Sequence, residues 1–260
     1  MITEALIALA GVQVAYIHAG PPANEAKATV VYVHGNLGSY RWFTEAMEIP
    51  GVRTLAPDMP NFGRSERIDT HAINDYASFV TRFIEEVADG PVVLVGHSLG
   101  GAVSMGVATS RPELIRGLLL VDSAPPEGLA TPEAYHPVIE GYRQDEAQLR
   151  AALKTVVPTL EDDAWFDRLV EDAQRMKGEA YVGHAVELGR ADCTNATSTY
   201  RGPALVVRGG QDMLITTDMA RRTAEAFNTE LREYPDVGHS IMVEAPQQFV
   251  QLVQEFVEQL

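Results

Sequence analysis

Ser98, Asp212 and His239 each sit on a turn that follows a predicted strand, and together they are the residue types a covalent hydrolytic reaction requires. Ser98 lies in Gly96-His97-Ser98-Leu99-Gly100-Gly101, directly after Pro91-Val92-Val93-Leu94-Val95. That G-x-S-x-G pattern between an apolar run and an amphiphile-free apolar helix reads as a serine on a sharp strand-to-helix turn. Glycines beside the serine let strand and helix approach closely, and the turn lifts the hydroxyl above the end of a sheet. The first N–H groups of the following helix point at the same place and favour an anion there. A serine hydroxyl is a weak nucleophile at neutral pH, so it needs a base, and the base needs a partner that fixes its tautomer. His239, in Asp236-Val237-Gly238-His239-Ser240, and Asp212, in Gly209-Gly210-Gln211-Asp212, both follow predicted strands. Asp122, after the run 118–121, competes with Asp212 for the acid role.

The remaining histidines have other expected places. His97 adjoins the nucleophile on a tight turn and is expected to point away from it; His34 ends a strand and is expected to hold the next loop by hydrogen bonding. His18, His71, His136 and His184 have no supporting context in the sequence. Attack on an ester carbonyl makes an oxyanion, for which the N–H of Leu99 is one preorganised donor.

These side chains must be carried by a frame. Leu6–Leu9 and Val12–Ile17 flank Gly11 as a hairpin, and Thr29–Val33, Val52–Ala56, Val92–Val95 and Leu118–Val121 read as buried parallel strands. Ala204–Val207 and Leu231–Tyr234 resume the pattern, and Phe249, Leu252, Val253, Phe256 and Val257 form the stripe of a closing helix. Strands alternating with helical spacers indicate βαβ units and a mostly parallel sheet. Residues 124–201 contain no convincing strand. Thr131 before Pro132 and Thr159 before Leu160-Glu161-Asp162 are expected to cap helices there, and Trp165, Phe166, Leu169, Val170, Ala173 and Met176 make one apolar stripe.

In chain order, His34-Gly35, Asp58 through Ser65, the serine turn, the Asp212 turn and Gly238-His239 resemble the α/β-hydrolase fold family over essentially the full length. The resemblance implies an α/β architecture: a mostly parallel eight-stranded sheet flanked by helices, with residues 1–123 and 202–260 as the core and 124–201 as an inserted helical cap. It implies the order Ser98, Asp212, His239, and ranks Asp212 above Asp122 although relatives of this fold place the acid after either strand. It also assigns the second oxyanion donor to the backbone N–H of Asn36, the residue after His-Gly. The stretch Asp58-Met59-Pro60-Asn61-Phe62-Gly63-Arg64-Ser65 matches the family's D-x-x-G-x-G-x-S loop, except that Asn61 replaces its first glycine.

The expected reaction is cleavage of a carboxylic ester through an acyl-enzyme. Lactones, including acyl-homoserine lactones, and carbon–carbon bonds of diketones are alternatives for the same triad. A ligand-binding receptor on a hydrolase scaffold is the reading from a different class. Cap aromatics (Trp165, Phe166, Tyr135, Tyr142, Tyr181) are candidates for an apolar acyl wall, although helical stripes are more often plain core. Leu99 in place of a methionine argues against a peroxidase, and Ser98 argues against carboxylate-dependent dehalogenases and epoxide hydrolases. No cofactor is expected, and no His/Cys cluster has zinc spacing. With a net charge of −16, the chain is not expected to partner nucleic acid or an anionic membrane. Cys193 is the single cysteine, no apolar run is long enough to span a bilayer, and Met1 through Leu6 lack a basic leader, so a cytoplasmic enzyme is expected.

Overall fold

A computed structural model describes residues 1–260. Its strands are β1 (Thr3–Leu9), β2 (Val12–Ala19), β3 (Ala28–Val33), β4 (Val52–Pro57), β5 (Val92–His97), β6 (Ile115–Val121), β7 (Ala204–Gly209) and β8 (Leu231–Tyr234). They form one open eight-stranded sheet in the order β1-β2-β4-β3-β5-β6-β7-β8. β1 and β2 pair antiparallel, as do β2 and β4, and every other pairing is parallel. The hairpin turns on Ala10 (φ 51°) and Gly11 (φ 84°), the two left-handed positions that match the twist of the flanking strands. Every residue of β3 and β5 is buried, which is why both are continuous apolar, β-branched runs instead of alternating ones.

Helices α1 (Ile73–Phe83) and α2 (Leu99–Ser110) follow β4 and β5, and α8 (Thr217–Ala226), α9 (Ile241–Glu244) and α10 (Pro246–Glu258) close the chain. Ten residues of α2 are buried, so it has no polar face, and it stops at Ser110 before Pro112. α10 buries the expected stripe of Phe249, Leu252, Val253, Phe256 and Val257. Phe249 meets Tyr32 and Phe43, whose rings stack at 4.7 Å.

No strand occurs between Val121 and Ala204; the chain there forms α3 (His136–Gly141), α4 (Glu146–Val156), α5 (Asp163–Ala173), α6 (Ala180–Arg190) and α7 (Ala196–Thr199). Two expected caps are corrected. α5 is capped by Asp162, whose carboxylate accepts from the Trp165 N–H at 2.9 Å. Thr159 instead donates its hydroxyl and its N–H to Glu244 Oε1, so a tertiary partner outcompetes the capping role. Thr131 caps nothing: Pro132 precedes a short 3₁₀ turn, Glu133–Tyr135, which runs into α3.

Buried polar contacts tie this helical segment to the sheet. Asp172 on α5 accepts from Ser39 Oγ at 2.5 Å and from Arg41 Nε at 3.0 Å. Ser240 Oγ donates to the Val156 carbonyl at 2.8 Å. Cys193 is buried, with its thiol pushed up to about 11 by burial and by Asp192. No helix is long and apolar enough to cross a membrane.

Candidate active site

The Ser98 turn has the backbone that its sequence requires. Ser98 sits at φ 54° and ψ −117°, a conformation that costs a non-glycine residue about 1–3 kcal/mol and persists only where neighbours enforce it. They do so by contact: a Cβ on Gly96 would lie 2.5 Å from the Gly100 carbonyl oxygen, and one on Gly100 would lie 2.2 Å from the Val33 oxygen. The Ser98 N–H donates to the Val121 carbonyl at 3.0 Å, which locks the turn onto β6. The hydroxyl makes no hydrogen bond within the protein and faces a cavity of about 210 Å³.

His239 lines the same cavity. Its Nδ1–H donates to Asp212 Oδ2 at 2.7 Å, which leaves Nε2 with the lone pair a base needs. Asp212 Oδ1 accepts from the N–H groups of Leu214 (2.7 Å) and Ile215 (3.2 Å), so both carboxylate oxygens are held. Burial alone would raise its pKa, but the His239 bond and charge together with the Leu214 N–H bring it below the ordinary carboxylate value. The structure therefore pairs Asp212 with the imidazole. Asp122 is placed behind this pair, at φ 43°, with Oδ1 accepting from the Gly209 N–H at 2.8 Å and Oδ2 buried without a partner. Burial, and then the Asp212 charge, push its pKa well above the ordinary value, so Asp122 is the neutral member of the two carboxyl groups.

Ligand atoms of Asp122, Asp212 and His239 lie within 4.8 Å of one another, the spacing a cation would need. Both oxygens of Asp212 and the Nδ1 of His239 are already spent on one another and on backbone N–H groups. A cation would have to break the bond that orients the imidazole.

The loop after β3 supplies the other side of the site. His34 Nδ1–H donates to the Gly35 carbonyl at 2.8 Å while Nε2 accepts from the Met59 N–H at 3.0 Å, which pins the Gly35–Asn36 segment. Burial lowers the His34 pKa to about 4 and keeps it neutral. A Cβ on Gly35 would lie 2.9 Å from that of Ser98, so the loop passes directly over Ser98. Leu99 N–H, at the first position of α2, has no intrahelical acceptor, and no protein group accepts from the Asn36 N–H. Asn36 and Leu99 both line the cavity. His97 turns back from Ser98, donating Nε2–H to the His239 carbonyl at 2.9 Å. Burial first, and the neighbouring His239 next, hold His97 down at about 3. Asp58 accepts from the N–H groups of Tyr40 (2.6 Å) and Arg64 (2.8 Å), a structural job.

Among the aromatics expected at the wall, only Tyr142 reaches the cavity. Phe166 and Tyr181 are buried inside the helical segment, Tyr135 is exposed, and Trp165 borders a separate surface cleft. The cavity wall is instead mainly aliphatic: Leu129, Ile139, Val156, Leu188 and Leu214 line it with Trp42. A larger groove of about 930 Å³, edged by Glu133, Glu140, Glu179 and Glu187, contains none of the chemical groups above. Sequence reasoning missed His184, which is fully buried on α6 yet lines the cavity beside Ser98 and contacts Asn36. Its partners come from distant segments, so no local pattern marks it.

Against known proteins, the model of the alpha/beta hydrolase family matches residues 30–252. Lipase LipV of Mycobacterium tuberculosis is 38% identical over 98 residues, which span 37% of this chain and 38% of that protein. The uncharacterized hydrolase YugF of Bacillus subtilis is 27% identical over 268 residues, covering 95% of each chain. The crystal structure of a putative aryl esterase from Burkholderia cenocepacia superposes with a TM-score of 0.86 at 24% identity, covering 99% of this chain and 98% of that one. The chain belongs to the alpha/beta hydrolase family.

Proposed function

We propose that the chain is a serine hydrolase that cleaves small carboxylic esters through an acyl-enzyme. The observation that carries the reading is the Asp212-oriented imidazole of His239 facing the same 210 Å³ cavity as the unbonded Ser98 hydroxyl. Ser98 Oγ attacks the ester carbonyl carbon as its proton passes to His239 Nε2. The resulting oxyanion is held by the backbone N–H groups of Leu99 and Asn36, and Asp212 stabilises the imidazolium. His239 then gives the proton to the departing alkoxide, which leaves as the alcohol. Water attacks the acyl-enzyme with His239 again as base and releases the acid.

A cavity of about 210 Å³ is smaller than the roughly 300–1,000 Å³ of drug-sized sites, which favours a short acyl group against the aliphatic wall. Residues 124–201 act in this reading as a cap that roofs the cavity, since α3, α4 and α6 each contribute lining residues. A lactone that fits this volume would use the same steps.

The test is a panel of nitrophenyl esters of graded acyl length, with fluorophosphonate labelling of the folded protein. Hydrolysis that falls off beyond short acyl chains, with the label on Ser98, is the expected result. Absence of label at Ser98 would move the chain to the binding-protein class.

A further inference from the structure

Asn61, the residue that departs from the family's loop pattern, and His184, the residue the sequence did not mark, belong to one hydrogen-bonded chain that ends at Asn36. The chain starts from two backbone groups whose polarity is fixed. The Ile68 N–H donates to Asn61 Oδ1 at 2.9 Å, and Asn61 Nδ2 donates to the Thr70 carbonyl at 3.1 Å. That sets the Asn61 amide, so its Nδ2 also donates to the Tyr76 hydroxyl oxygen, 2.9 Å away. The Tyr76 O–H must then donate onward, and its one further neighbour is His184 Nε2 at 2.8 Å. An accepting Nε2 puts the ring proton on Nδ1, which donates to Asn36 Oδ1 at 3.1 Å. Asn61, Tyr76 and His184 are all fully buried, where reversing any link would strand a donor or acceptor. The His184 ring plane is fixed as well, stacked on Phe62 at 4.6 Å and 7°. Burial, with His71 and His34 nearby, keeps it neutral and so singly protonated.

The end of the chain is the consequence. With Oδ1 of Asn36 occupied by His184, its NH₂ group has no protein acceptor, and Asn36 lines the cavity with Ser98. We propose that Asn36 offers this NH₂ group to the substrate as a donor distinct from its backbone N–H, and that the site selects esters or lactones carrying an oxygen acceptor on the α or β carbon of the acyl group. The proposal rests on the serine-hydrolase reading above. The placement follows from the covalent link: the side-chain amide is attached to the residue whose N–H meets the oxyanion, so its acceptor lies close to the scissile carbonyl. Tyr76 and His184 are positioning residues, since they act by fixing which end of the Asn36 amide faces the cavity. A site built to bond an acceptor discriminates against a substrate lacking it, because the donor is then left unpaired.

Two esters of nearly equal shape test this: nitrophenyl methoxyacetate, with an ether oxygen on the α carbon, and nitrophenyl butyrate, with a methylene there. The readout is the ratio of their kcat/KM values in each variant relative to wild type, which cancels the intrinsic reactivity of the esters. Asn36→Ala is expected to lower the ratio about tenfold to a hundredfold. Tyr76→Phe, which lies outside the catalytic machinery, is expected to lower it several-fold with butyrate turnover kept, because the His184 tautomer and the Asn36 amide are then free to reverse. Side-chain nitrogen NMR of the wild-type protein is expected to show His184 protonated at Nδ1. An unchanged ratio in Asn36→Ala, or His184 protonated at Nε2, overturns the proposal and leaves the hydrolase reading standing. Failure of both esters to acylate Ser98 overturns both readings.

Discussion

The central sheet and the helices between β6 and β7 bury their side chains by different rules. β3 and β5 bury every residue, and α2, which packs on the face of the sheet, buries ten of its twelve. α4, by contrast, buries only Leu149 and Leu153, and α3 buries nothing fully. The first region is a rigid frame in which a strained serine can be held. The second is an amphipathic layer whose buried side chains, among them Leu149, Leu153, Leu169 and Val170, join the same hydrophobic core as the sheet, with polar contacts such as Asp172 to Ser39 and Arg41 beside them. Ser98, Asp212 and His239 therefore follow strand ends, and much of the remaining cavity lining comes from helices with few fully buried residues. His184 crosses that division, carrying a frame-set polarity through α6 to the cavity.

The sharpest test of the frame is Ser98→Ala. It is expected to cut kcat by about 10⁶-fold with the thermal transition unmoved, as measured by ester turnover and calorimetry. Retained turnover would remove the frame from the chemistry. Asp212→Asn is next, at about 10⁴-fold in kcat, because an amide facing Nδ1 favours the wrong imidazole tautomer. Asp122→Asn is expected to keep activity within about tenfold, since the amide oxygen still accepts from the Gly209 N–H and the uncharged group suits the buried position.

The same variant gives a pH signature. The folded-state pKa of Asp122 is raised, so its contribution to stability is complete below the unfolded value of about 3.9 and is lost as pH rises toward the folded value. Asp122→Asn is therefore expected to gain stability relative to wild type as pH increases from about 4, read from urea titrations at several pH values. Parallel curves would show that Asp122 is ionised in the native state.

The smallest effect belongs to the joint between the regions. Asp172→Ala leaves the Ser39 hydroxyl and the Arg41 guanidinium without their buried partner, at a cost of about 1–3 kcal/mol. Hydrogen exchange is expected to speed up in α5 and to stay unchanged in β3 and β5. Equal acceleration in both would mean that the two regions open as one unit.

The same contrast decides what could be read from residue types. A strand buried on both faces needs a continuous apolar run, which made β3 and β5 legible, whereas the partly exposed β1 and β8 were marked by the Gly11 turn and by their place in the alternation of strands and helices. The serine turn was legible because its glycines are required by contacts with Val33 and Gly100 at the turn itself. The helical segment was less so. Thr159 and Asp162 are both good caps locally, and the choice between them is made by Glu244, which lies 85 residues away from Thr159. The aromatic wall failed for a related reason: a helical stripe records that a face is buried, not whether it packs on neighbours or on a cavity. Asn61 stood out as a departure, but its task depends on Tyr76 and His184, 15 and 108 residues from the preceding member of that chain.

The helical segment leaves from β6 and returns to β7, and these two strands are hydrogen-bonded neighbours, with Val121 opposite Val207. The pairing is parallel and sets Ala204 opposite Leu118, so the sheet alone fixes the segment's two ends at opposite edges, roughly 11 Å apart. Segments of very different length can be spliced at that gate without altering the register of any strand, since loop-closure entropy grows only slowly with length. The architecture is a socket with one fitting in it: residues between β6 and β7 can be exchanged while the strand ends that carry Ser98, Asp212 and His239 stay in place.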